Sequence, residues 1–266
     1  MQLLDSHAHL NFEAYTNDWQ QQAQDCIENQ TWVVNIGAQF ATSQKAIAIA
    51  EHFERGMYAT VGLHPTHVEG SSSNPEVFDI NAYRHLATSS PKVVGVGETG
   101  IDYYHDENLA QKQAEVFSQH VALAQECDLA VVIHGRNSRD GRLNAYTHLE
   151  SLVRELQVRR AVVHCFGGTI EEARKFLDLG LYLGFTGIVT FKNAQALREV
   201  VSYVPLDRMV IETDAPYLTP EPYRSQRNVP QYVKFVAEHI AAVKKSDIVT
   251  IAEQTRRNAL ALFQIK

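Results

Sequence analysis

Eight short apolar runs rich in β-branched residues, each separated from the next by a longer stretch of helical or turn character, constrain this chain more than any other feature. The runs are LLDSH (3–7), WVVNIG (32–37), MYATVGLH (57–64), KVVGVGE (92–98), AVVIH (130–134), RAVVHCF (160–166), LYLGFT (181–186) and MVIETD (209–214). Most are almost continuously apolar, as expected of parallel strands covered on both faces. Amphipathic segments lie between them, at 107–127, 138–157 and 229–244. A helix start is marked at Thr169, with Glu172 three residues on and Gly180 near the end. Eight β-then-α units in 266 residues predict an α/β protein, a TIM (β/α)8 barrel in a single domain spanning 1–266. An open doubly wound sheet is the alternative, but no GxGxxG follows the first run. THVEGSSSNPEV (66–77) reads as a mobile flap after the third strand, not as a linker. The last helical segment, 247–263, is expected to pack against the outside of the barrel.

Composition removes several classes. With 45% hydrophobic and 21% charged residues the chain falls in the soluble range. No stretch approaches the ~18 apolar residues of a membrane span, and no basic-then-apolar leader precedes Asp5. Cys26, Cys127 and Cys165 are scattered and odd in number, which fits a reducing cytoplasm. A net charge of −7 argues against coating nucleic acid through a broad basic surface. It does not oppose one phosphate held in a pocket by bound cations.

The unusual polar residues fall in one class of place. His7 and His9 end the first run, His64 the third, Glu98 the fourth, His134 the fifth, His164 the sixth and Asp214 the eighth. In a barrel all those ends converge on the face that carries the chemistry. His7 and His9, two positions apart, share one face of a strand, which suits two ligands of one ion. His52, His85, His120, His148 and His239 lie in helical patterns and read as solvated or partly packed; His67 and His105 fall in loops and are candidates for the pocket lining. Imidazole with carboxylate suits Zn, Mn, Fe or Ni, and Mg less well. His7, His9 and Asp214 can hold one divalent ion and His134 and His164 another, with the two oxygens of Glu98 able to serve both. Two ions about 3.5–4 Å apart clamp a displacement at phosphorus, and a hydroxide between them is nucleophilic near neutral pH. Asp214 is then placed to orient that hydroxide or take its proton.

Together DSHAHL, GLHP, GETGID, IHGR, HCF and ETDAPYLTPEPYR resemble the TatD-type metal-dependent deoxyribonucleases of the amidohydrolase-like barrel superfamily, from Asp5 to the closing RRNALALF. The resemblance implies a two-metal hydrolase. It makes His7 and His9 ligands of one ion with Asp214 close by, Glu98 the shared ligand, His134 and His164 ligands of the second ion, and His64 a pocket residue touching substrate or a bound anion. Two departures stand out: Gly167 follows HCF where the family commonly has serine, and PYRSQRN (222–228) replaces PYRGKRN, so Gln226 stands where a basic side chain is usual. Relatives that bridge their metals with a carboxylated lysine carry it at the end of strand 4; here Glu98 is at that end and Lys92 at the other. This favours the nuclease-like branch.

Arg136, two residues after His134, and Arg224 and Arg227, after the eighth run, are candidate phosphate contacts. Tyr103, Tyr104, Tyr217 and Tyr223 are candidates either for stacking on bases or for packing loops. Asp102 is placed to orient a ligand histidine or to fix its loop, and Cys165, adjacent to His164, is expected in the core. The expected function is a cytoplasmic metal-dependent deoxyribonuclease acting on single strands or ends, with no membrane and no obligate protein partner. The rivals are a hydrolase of another ester (carboxylic, aminoacyl-tRNA or small phosphoester) and a non-catalytic binding protein with a structural metal. Structural zinc sites are usually cysteine-rich, and this set has no cysteine.

Overall fold

The computed structural model describes residues 1–266, and in it the eight apolar runs form one parallel sheet whose strands neighbour each other in chain order. The strands are β1 (Leu3–Ala8), β2 (Thr31–Asn35), β3 (Met57–Val61), β4 (Val93–Asp102), β5 (Ala130–Arg136), β6 (Ala161–Val163), β7 (Tyr182–Phe185) and β8 (Met209–Ile211). Helices α1 (Trp19–Glu28), α2 (Phe40–Glu51), α3 (Ile80–Thr88), α4 (Ala110–Cys127), α5 (Ala145–Glu155), α6 (Ile170–Asp178), α7 (Gln195–Tyr203) and α8 (Val233–Lys244) follow the strands, and α9 (Ile248–Leu262) closes the chain. The sheet curls into a barrel that β8 seals against β1: His9 N donates to the Ala215 carbonyl at 2.8 Å and Asp214 N to the His7 carbonyl at 2.9 Å. No helix is long and apolar enough to cross a membrane.

Alternation along the strands divides the apolar residues into two layers. Leu4, Val34, Val94, Val132, Val162 and Val210 meet in one cluster, and only the lumen of a barrel brings these strands' side chains together. Ala259, Leu262 and Phe263 belong to the same cluster, so the end of α9 plugs the floor of the barrel, while Ile251 and Ala252 nearer its start pack in the outer layer, as the sequence suggested. The larger cluster packs the outer faces of the strands against the helices.

Element boundaries differ from expectation in instructive ways. The helix expected over 138–157 starts only at Ala145. Gly141 has φ +72°, and Asn144 caps the first turn by accepting from Thr147 N at 2.8 Å. The start at Thr169 is a capping box: Thr169 Oγ accepts from Glu172 N at 3.3 Å while Glu172 accepts from Thr169 N at 2.6 Å. The loop over 66–77, expected to be a mobile flap, is anchored. Its Glu76 carboxylate accepts from Phe40 N at 3.0 Å and from the Tyr83 hydroxyl at 2.6 Å.

Candidate metal centre

Strand ends do not simply stop at this site; they bend into it. Only His7, Glu98 and His134 lie within strands, while His9, His64, His164 and Asp214 follow the last strand residue. The β1–β2 register shifts between Asp5 and Ala8, and the β4–β5 register between Val96 and Thr99. At the second shift Gly97 has φ +137°, and a Cβ there would lie 2.5 Å from the Val132 carbonyl oxygen. Only glycine can occupy that backbone, and the turn it makes precedes Glu98, whose carboxylate lies in the mouth. Cys165 and Asp214 take left-handed φ of 46° and 56°, which non-glycine residues seldom adopt.

The convergence is tight. His7 Nε2 and His9 Nε2 are 3.2 Å apart, and Asp214 Oδ1 is 3.4 Å from His9 Nε2 and 3.7 Å from His7 Nε2. Glu98 Oε1 lies 2.6 Å from His134 Nδ1, 3.1 Å from His164 Nε2 and 3.4 Å from His64 Nε2. Its other oxygen, Oε2, lies 3.3 Å from His7 Nε2. Glu98 thus offers one oxygen to each group of histidines, and all seven strand-end residues share one cavity mouth.

A surrounding set of acceptors orients the rings. His9 Nδ1 bonds the Ile36 carbonyl at 3.0 Å, which leaves its Nε2 lone pair toward His7 and Asp214. Asp102 Oδ2 holds His134 Nε2 at 2.9 Å, leaving Nδ1 toward Glu98; it also holds His105 Nδ1 at 2.9 Å, so Asp102 both orients the His134 ring and fixes its loop. Glu212 Oε1 takes His164 Nδ1 at 3.2 Å, leaving Nε2 toward Glu98. Ring nitrogens and carboxylate oxygens packed this closely need a positive charge among them, supplied either by protons on the rings or by a cation, and such a donor set is the chemistry of a cation site. His7, His9 and Asp214 form one candidate group of ligand atoms, and His64, Glu98 and His134 another. Glu212 also falls within reach of His7 and His164. Its oxygens already accept from His164, Cys165 N and Ser6 Oγ, so it acts on the ligands and not as one of them.

Electrostatics agree with the geometry. Burial pushes Glu98 up, but His164, His64 and His7 outweigh it and hold the carboxyl well below the usual range. Burial opposes a proton on His134, yet Asp102 and Glu98 carry it up to about 9; Glu98 and Glu212 likewise carry His164 well above 6.5. Burial keeps His64 down at about 4, hence neutral. Asp214 is held below its usual value by the His9 hydrogen bond and by His164 and His7, against burial. Metal binding displaces protons from such a set, so its affinity is pH-dependent.

Two contributors escaped the sequence reading. Asp5 is fully buried, with Oδ1 accepting from Thr213 N at 2.9 Å and from His7 N at 3.2 Å, and burial lifts its carboxyl well above the usual range. Glu212 sits two positions before Asp214, and alternate strand residues share a face; the ETD spacing was the available signal. Cys165 takes no part in any candidate ligand group but is half-buried, not core, with Sγ 3.5 Å from Thr186 Oγ1. His120, expected to be solvated or partly packed, is fully buried: Nε2 accepts from Leu63 N at 2.9 Å and Nδ1 bonds the Val116 carbonyl at 2.8 Å.

The arginines separate. Arg136 stacks on the Tyr104 ring at 3.7 Å and Arg224 on Phe191 at 3.8 Å. Neither forms an ion pair with a carboxylate, whereas Arg227 pairs with both oxygens of Asp18, at 2.5 and 3.0 Å. Tyr103 bonds His148 at 2.6 Å and Tyr223 stacks on Tyr232, which makes both loop-packing residues; Tyr217 is 54% exposed.

Residues 4–264 match the family described as TatD related DNase. The chain is 38% identical over 266 residues to the uncharacterized metal-dependent hydrolase YabD of Bacillus subtilis, covering 99% of each. It is 34% identical over 232 residues to a 3'-5' ssDNA/RNA exonuclease TatD from Erwinia amylovora, which is 85% of this chain and 86% of that one. Among solved structures, the TatD homologue YjjV of Escherichia coli superposes with a TM-score of 0.87 at 25% identity, over 99% of this chain and 98% of that one. A guanine deaminase from C. acetobutylicum shares the fold alone, with a TM-score of 0.65 at 11% identity, over 98% of this chain and 73% of that one.

Proposed function

The chain belongs to the TatD-related DNase family of metal-dependent hydrolases, and from that premise we propose that it is a phosphodiesterase that shortens DNA from a single-stranded end, using two divalent ions. The observation that carries this reading is the division of the Glu98 carboxylate, with Oε1 toward His134 and His164 and Oε2 toward His7. In the proposal His7, His9 and Asp214 hold one ion, His134 and His164 the other, and Glu98 both. The nitrogen-rich donor set favours Zn, Mn, Fe or Ni over Mg. When bound, the ions supply Lewis-acid charge and an activated water.

The protein's own groups do the remaining work. Asp214, with its side chain 16% exposed against 4% for Glu98, is the carboxylate open to substrate, and Oδ1 takes the proton lost by the attacking water. His64 Nδ1 accepts from Thr66 N at 3.2 Å, so the neutral ring carries its proton on Nε2; that N–H faces Glu98 Oε1 at 3.4 Å and would be released for a phosphate oxygen once Glu98 holds the ions. Arg136 and Arg224, free of carboxylates and stiffened by stacking, contact flanking phosphates. Arg227 can join them only by leaving Asp18, and we assign it to holding the loop that follows Asp214. Residues 1–266 act as one unit, and the free Cys26, Cys127 and Cys165 suit a reducing cytoplasm.

The test is incubation of the purified protein plus Mn²⁺, Mg²⁺ or Zn²⁺ with end-labelled single-stranded DNA, and in parallel with carboxylic and aminoacyl esters. Stepwise shortening of the DNA is expected. Intact DNA alongside turnover of an ester would overturn the assignment in favour of another ester hydrolase.

A further inference from the structure

We infer that a groove beside the metal centre is a nucleobase subsite: Tyr217 stacks on the base next to the cleaved phosphate, and Asn11 Oδ1 accepts a hydrogen bond from that base's N–H edge. The inference rests on the phosphodiesterase reading. The groove holds about 570 Å³ and is lined by residues that include Asn11, Phe12, Glu13, Gln39, His67 and Tyr217. It opens off the ligands themselves. The Phe12 ring stacks on His9 with centroids 4.1 Å apart, and Tyr217 N donates to the Asp214 carbonyl at 2.8 Å. The groove is therefore within reach of whatever is attached to a group at the ions.

Its chemistry excludes a second phosphate and suits a neutral planar group. The lining holds the carboxylate of Glu13 and no lysine or arginine. Tyr217 is a large aromatic ring left 54% exposed, and an exposed ring stacks on any base face. Asn11 is only 2% exposed, and its Oδ1 has no partner; that oxygen is covered, so a base edge reaches it once the groove side chains move aside. Its amide cannot be turned over, because Nδ2 already donates to the Ile36 carbonyl at 2.9 Å and the Thr42 carbonyl at 3.0 Å. What remains is a rigidly held acceptor waiting for a donor. Every natural base offers at least one N–H on its pairing edge, so stacking plus one accepted hydrogen bond recognises a base without selecting a sequence.

The experiment uses the Mn²⁺-loaded full chain and single-stranded oligonucleotides with one abasic tetrahydrofuran residue at the last or the next-to-last position. A fall in kcat/KM of about tenfold or more is expected for one of the two positions, the range for losing a stacked base. Tyr217→Ala is expected to lower the ratio of natural to abasic cleavage at that position to the several-fold that the Asn11 hydrogen bond supplies. Unsubstituted purine in place of adenine keeps the stacking face and removes the amino donor; it is expected to slow cleavage several-fold. Equal cleavage of natural and abasic DNA at both positions overturns the subsite while leaving the nuclease reading standing. Equal rates for adenine and purine overturn the role of Asn11. No cleavage of any DNA, with an ester turned over instead, defeats both readings.

Discussion

At the scale of single residues, function concentrates in Glu98, whose two oxygens face different histidines. Glu98→Ala removes the shared donor but leaves a space the mouth tolerates. Loss of turnover by roughly 10²–10³-fold or more is expected, with an unchanged far-UV circular dichroism spectrum. Full activity in that variant would contradict the account. Asp102 acts one step further out by holding His134 Nε2. Asp102→Asn keeps the shape but weakens that hold, and the expected cost is roughly 10–100-fold in metal affinity, read by titration with a chelator of known affinity. The cluster of strand-end residues was legible in the sequence because they are rare residue types at equivalent places in a repeating pattern. Asp5 and Glu212 were less so: a buried carboxylate that orients a ligand looks, in sequence, like any acid near a strand.

At the scale of elements, the positions that hold the site are set by long-range contacts. α4 shows this through His120, which sits on the helix yet accepts from Leu63 N, next to His64 on the β3 loop. A lone histidine in a helical pattern carries no sign of that bond, so sequence reasoning placed it wrongly at or near the surface. Burial holds its pKa down at about 4. The unfolded chain binds a proton below about 6.5 that the folded chain refuses until about 4, so stability is full above about 6.5 and falls as pH drops through that window, by about 3 kcal/mol. Urea melts of wild type and His120→Gln at pH 4.5 and 7.5 check this: the pH-dependent difference should be smaller in the variant by about 2–3 kcal/mol, and an unchanged difference would contradict it. Helix α9 gives a second case. Its amphipathic pattern predicts a helix on the outside of the barrel, where Ile251 and Ala252 lie, but not that its last turns close the barrel floor. Phe263→Ala is expected to cost about 3–5 kcal/mol in denaturant unfolding while kcat stays unchanged, since the floor lies at the opposite end of the barrel from the ligands.

At the scale of the whole molecule, the repeated β-then-α pattern was enough to predict the barrel, because each parallel strand needs cover on both faces and eight such units close on themselves. Closure then turns residues more than 200 positions apart, His7 and Asp214, into neighbours. The strand boundaries were less legible: β6 and β8 stop short of the left-handed Cys165 and Asp214, whereas β4 continues through Gly97 to Asp102 and β5 to Arg136. Because folded and unfolded chains differ in having this mouth, bound metal should stabilise the fold: chelation is expected to lower Tm, and excess Mn²⁺ at about 100 times its Kd to restore about 2.7 kcal/mol. The most direct test of the central claim is anomalous scattering from crystals grown with Mn²⁺. Two peaks are predicted at the mouth, about 3.5–4 Å apart, with Glu98 touching both, His7, His9 and Asp214 on one, and His134 and His164 on the other. A single peak, or two peaks that Glu98 does not link, would contradict it.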